Sequence, residues 1–79
     1  MGLQDFTTIN QPDIFIWARI NAGLSAQRAA MELNITEERL REYEHGTLPT
    51  IQIAIVRHMA QLYNTTPGIL LMKELPPQR

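Results

Sequence analysis

The sequence predicts an all-α domain of five short helices, and three features predict it. Ser25, Thr36 and Thr66 each place a side-chain oxygen where it can accept from an unpaired backbone N–H at the start of a helix. Gly23 and Gly46 stand where helices would stop, because glycine takes the left-handed conformation that ends one. Between these marks, apolar residues recur at helical spacing and no stretch reads as a strand.

Met1 to Gln11 is polar apart from Leu3, Phe6 and Ile9, spaced three apart. A loose turn or a frayed arm fits this pattern, and residues 1–11 are expected to form a flexible arm. Pro12, pre-set for helical φ, opens the first helix. Asp13 follows in the first turn, where the helix dipole favours a negative charge. Its inward stripe is expected to be Ile14, Trp17, Ala18 and, just beyond Gly23, Leu24, with Arg19 on the flank.

Ser25 to Gly46 reads as two helices folded about a tight corner at Asn34-Ile35. Ala29, Ala30 and Leu33 share one face of the first, and Leu40 and Tyr43 one face of the second. Small Ala30 lets a helix cross closely while Leu40 fills the angle, the packing of a helix-turn-helix. Pro49 then forbids simple helical continuation. Thr50 is placed to cap a fourth helix over Ile51 to Tyr63, about three and a half turns, with Ile53, Val56, Met59, Ala60 and Tyr63 inward and Ile55 and Leu62 widening the stripe. Asn64 to Pro67 breaks and restarts the chain, with Thr66 as cap and Pro67 in the first turn of a last helix through Ile69, Leu70 and Met72. The two prolines of residues 74–79 suggest an extended linker stub, and a chain that continues in a longer protein. The domain itself is expected over 12–73.

A 79-residue chain suits one domain, and at this size folding buries only roughly 60% of the unfolded chain's surface. There is no cysteine, so neither disulfides nor thiolate metal sites support it, and a reducing cytoplasm is the expected location. No apolar run approaches the roughly 20 residues that span a bilayer, so no membrane partner is expected. A net charge of −1 gives no basic field over the molecule, so any grip on nucleic acid would rest on local patches.

The run from Ile16 to about Met72 resembles the XRE family of helix-turn-helix domains, the Cro and phage-repressor type. The matching residues are Arg19, AGLS at Ala22 to Ser25, Ala29-Ala30, Leu33, Ile35, Thr36, Leu40, Tyr43-Glu44 with Gly46, Pro49, and Ala60 with Leu62-Tyr63. The sets WAR-x-x-AGLS, ERL-x-x-YE-x-G and LY-x-x-x-P before a proline-rich exit are also similar to N-terminal domains that precede ImmA/IrrE-type metallopeptidases of bacteria and their mobile elements. The chain carries no HExxH, so any peptidase chemistry would lie outside it. The resemblance implies a lambda-repressor-like five-helix fold and a sequence-specific double-stranded DNA-binding module of a larger bacterial or prophage protein. It also implies a structural ion pair, since in such domains an arginine placed like Arg19 meets a glutamate placed like Glu44. Two departures stand out: Ala26 occupies a position where many members carry glutamine, and Asn34 replaces the usual corner glycine, which asparagine's tolerance of the left-handed region should accommodate.

In this fold the exposed start of the third helix enters the major groove. The candidate DNA-contacting residues are therefore Thr36, Glu37, Glu38 and Arg41, with Arg28 and Arg39 for phosphates and Gln27 in partial replacement of the missing glutamine. Two readings stand for Glu37 and Glu38: acids that complement the helix dipole whatever the helix touches, or acceptors for cytosine N4. Arg28 and Arg39 likewise read as phosphate contacts or as solvated surface. Ser25 to Gly46 holds three arginines against five glutamates, the wrong sign for phosphates. The rival reading is thus a protein-interaction module of the same fold, binding a second copy or a partner domain through the acidic helix and an apolar patch at Met72 and Leu75. Trp17, Tyr43, Met31, Met59 and Met72 are expected in the core rather than on bases. His45 and His58 have no ligand spacing, no cofactor motif is present, and no catalytic constellation supports an enzyme.

Overall fold

A computed structural model describes residues 5–72; the expected linker 74–79, and Leu75 of the proposed patch, lie outside them. The order is β1 (Phe6–Thr8), α1 (Asp13–Asn21), α2 (Ala26–Leu33), α3 (Glu37–Glu44), β2 (Thr50–Gln52), α4 (Ile53–Leu62) and α5 (Pro67–Leu70). The described chain is mostly helical, with five helices and one small sheet.

Four of the helices end by the same device. After α1, α2, α3 and α4 comes a residue of positive φ: Gly23, Asn34, Gly46 and Asn64. At each, the following residue donates its N–H back across six residues: Leu24 to Arg19 O, Ile35 to Ala30 O, Thr47 to Glu42 O and Thr65 to Ala60 O, at 2.8–3.2 Å. This is the Schellman arrangement, which satisfies carbonyls that the helix leaves unpaired. Asn34 adopts φ 60° and ψ 40°, as its short polar side chain allows. Gly46 has a second constraint: a Cβ there would sit 3.1 Å from Pro12 Cγ, so the end of α3 closes directly on the start of α1.

The core takes Ala29, Ala30 and Leu33 from α2, Leu40 and Tyr43 from α3, Val56, Met59 and Ala60 from α4, and Leu70 from α5. These match the expected faces. α1 is rotated relative to expectation: Ile14, Phe15 and Ala18 are buried, whereas Trp17 keeps 37% of its surface exposed and Ile20 keeps 63%. All five residues from Ile14 to Ala18 are apolar, so spacing could not choose between faces. Packing chose the smaller ring, and the indole lies at the boundary, where one edge can reach water. Met31 is likewise 67% exposed, since it projects from α2 opposite Ala29, Ala30 and Leu33.

The two strands are the larger departure from the all-helical expectation. β1 pairs antiparallel with β2 in the register Phe6↔Gln52, Thr7↔Ile51, Thr8↔Thr50. Two further bonds frame the pair, Ile9 N to Pro49 O at 2.9 Å and Ile53 N to Asp5 O at 3.0 Å. The described part of the arm expected to fray, residues 5–11, is thus laid along the segment before α4; residues 1–4 lie outside the described residues. Ile51, fully buried, belongs to this strand and not to the helical stripe. Thr50 accordingly does not cap α4, whose N-cap is Gln52 with no side-chain bond. The signal was faint because three residues are too few to display a period of two, and the partner strand is remote in sequence.

Candidate nucleic-acid interface

The α2–α3 unit is held at each start by a side-chain cap. Ser25 Oγ accepts from Arg28 N at 3.1 Å and Thr36 Oγ1 accepts from Arg39 N at 3.0 Å, each typically worth about 1 kcal/mol. Thr36 is therefore committed to the backbone before it can serve a ligand, although its hydroxyl proton remains to donate. Thr66 repeats the arrangement on α5, accepting from Ile69 N at 3.2 Å.

With Leu40, Tyr43 and Glu44 buried, helical geometry sets the opposite face of α3. At about 100° per residue, Glu38 and Glu42 share its outermost line, with Arg41 on one flank and Arg39 on the other. Glu37, half-buried, stands nearer the core. Gln27 and Arg28 are exposed on the first turn of α2. Six of the seven predicted contact residues thus lie at the starts of two adjoining helices, and Arg41 lies in the last turn of α3.

Each arginine of this surface is tied to a glutamate of its own helix. Arg28 Nε meets Glu32 Oε2 at 3.0 Å, Arg39 Nε meets Glu42 Oε1 at 3.1 Å, and Arg41 Nη2 meets Glu37 Oε2 at 2.6 Å. The spacing is the i,i+3 and i,i+4 rule of helix surfaces, so these pairs were legible in the sequence and were missed by weighing charges only in sum. Exposed i,i+4 pairs contribute about 0.3–0.5 kcal/mol, well below the 1.4 kcal/mol of a tenfold affinity change. Arg28 and Arg41 can therefore be released to an outside anion at small cost. Arg39 is held above the usual arginine range first by the Tyr43 phenol and then by Glu42. Arg57 on α4, which the sequence reading passed over, has no carboxylate within 4.0 Å among the described residues.

Beneath this surface lies the expected ion pair. Arg19 Nε donates to Glu44 Oε2 at 2.7 Å and Nη2 to Glu44 Oε1 at 3.2 Å, while Nη1 donates to Leu24 O at 3.1 Å. Glu44 is 2% exposed. The forked contact joins α1, the turn before α2 and the end of α3, and the hydrogen bond to Glu44 raises the Arg19 pKa above its ordinary value.

Tyr63 completes the buried layer. Its hydroxyl has no hydrogen-bond partner among the described residues. Burial pushes it up to about 12, the Glu44 charge adds to this, and Arg19 opposes it. Because the folded state holds the proton more tightly than the unfolded one, the group does not affect the pH dependence of stability below about pH 10, and stability falls as pH rises from there towards about 12. Tyr63→Phe should leave stability at neutral pH unchanged or raised and flatten the alkaline limb of a stability–pH curve measured by urea melts. A clear loss at neutral pH would mean that the hydroxyl is satisfied in solution.

Among the described residues, no three of His, Cys, Asp and Glu gather as metal ligands, and no helix is long and apolar enough to cross a membrane. No family model matches the chain, and no curated protein matches it.

Proposed function

We propose that the chain is a sequence-specific duplex-DNA-binding module of the XRE helix-turn-helix type, with a lambda-repressor-like arrangement of its five helices, acting as the N-terminal part of a larger bacterial or prophage protein. The observation that carries this reading is the α2–α3 corner: two eight-residue helices, each capped by a hydroxyl, joined through Asn34 in the left-handed conformation. Leu40 seals the inside of the angle, and the outward face of α3 is left to solvent. A helix held in this way can enter a major groove about 12 Å wide. Arg28, Arg39 and Arg41 border that face and supply the cations it needs.

A salt series tests the proposal. Binding to mixed-sequence duplex should appear at low ionic strength and weaken as log[salt] rises. If Arg28 and Arg39 each neutralise a phosphate, the slope is roughly −2. Absence of binding at low salt would remove the proposal.

A second reading rests on a separate observation. Every arginine of α2 and α3 already has a carboxylate partner, and Trp17 and Ile20 stand exposed one turn apart on α1. A surface of this kind suits a second copy or a partner domain. Self-association by light scattering, without duplex binding, would favour it.

A further inference from the structure

Four of the five glutamates on α2 and α3 are spent on arginines: Glu32 on Arg28, Glu37 on Arg41, Glu42 on Arg39 and Glu44 on Arg19. Glu38 is the exception. It is exposed, and among the described residues no arginine, lysine or histidine nitrogen lies within 4.0 Å of it. It sits in the first turn of α3, on the line directly opposite the buried Leu40, Tyr43 and Glu44. Its acceptors are the ones on this face that no intramolecular cation occupies.

Resting on the duplex-binding reading above, we propose that Glu38 is the specificity-determining residue and that it selects a C·G base pair. A carboxylate only accepts hydrogen bonds. In the major groove, cytosine N4 offers it a donor, whereas guanine N7 and O6 and thymine O4 offer further acceptors that repel it. Adenine N6 also donates, and Arg41 breaks that tie. Arg41 lies three residues on, beside Glu38 on the helix surface. Its Nη2 gives one N–H to Glu37 at 2.6 Å, and the second Nη2 N–H, together with the neighbouring Nε or Nη1 N–H, still makes a fork. Guanine presents two acceptors to such a fork; thymine, the partner of adenine, presents one oxygen and a methyl group. An acceptor beside a two-pronged donor matches the cytosine and guanine edges of one pair. The carboxylate has a second effect, because it repels phosphates and so weakens binding wherever cytosine is missing.

The test enriches random duplexes on the intact chain at low salt, in parallel for wild type, E38Q and E38A. Wild type should enrich a motif containing a C·G pair and lose about tenfold in affinity when that pair alone is exchanged for T·A. In E38Q the same position should move to A·T, since a glutamine amide pairs with adenine N6 and N7, with the other positions unchanged. E38A should lose the preference there while binding mixed duplex more tightly. A residue with only a structural role would alter thermal stability and leave base identity untouched. An identical motif in wild type and E38Q, or salt-dependent wild-type binding without any motif, overturns the assignment of Glu38 and leaves duplex binding standing. No duplex binding by any of the three overturns both.

Discussion

Glu44→Ala is expected to destabilise the domain by about 3–5 kcal/mol, a large share of the roughly 5–15 kcal/mol by which domains are stable. The expectation follows from burial more than from the strength of the pair. The two side chains keep only 14% and 3% of their surface in water, so the guanidinium that remains would keep, among the described residues, only its hydrogen bond to the backbone carbonyl of Leu24. Arg19→Ala should be as costly, because it strands a carboxylate. Replacing both by apolar residues of similar size, as in Arg19→Met with Glu44→Leu, should recover most of the loss, since an ion pair taken from water gains little over good packing. Urea melts of the two single variants and the double alanine variant complete the cycle. A coupling near zero would mean that the contact between α1 and α3 does not hold in solution.

Phe15→Ala should cost about 3–5 kcal/mol, through lost burial of a fully buried ring and the cavity left in the core. Trp17→Ala should cost about 1–2 kcal/mol, because more than a third of that side chain is already in water. Comparing the two settles the rotation of α1, the point on which spacing was silent. Thermal melts that rank Trp17 above Phe15 would return the indole to the core. The same melts bear on the surface of α1, for an indole at the boundary remains available to a partner chain beside Ile20.

The α2–α3 unit was legible almost residue by residue. Ser25 and Thr36 cap, Asn34 turns, and Leu40 fills the angle, because each of these roles depends on chemistry within four or five residues of itself. The pairing of Arg19 with Glu44 was legible only through resemblance; no local rule links two residues on different helices. Charge on the exposed face was read correctly in sum and incompletely in detail. The arginines do not stand free, and that detail singles out Glu38.

The sequence by itself determined where α2, α3 and α5 begin, through hydroxyl caps, and where the first four helices end, through Gly23, Asn34, Gly46 and Asn64, whose left-handed backbone is a property of the residue and its immediate neighbours; it did not determine where α4 begins, because Thr50 was drawn into the sheet. Tertiary structure alone decided which face of α1 turns inward, and that Thr7 and Ile51 meet in a sheet. An unbroken apolar run offers several faces of similar hydrophobicity, and a three-residue strand has no stability until its partner is present. Both outcomes were settled by the volume and hydrogen-bonding groups that the rest of the fold brought alongside.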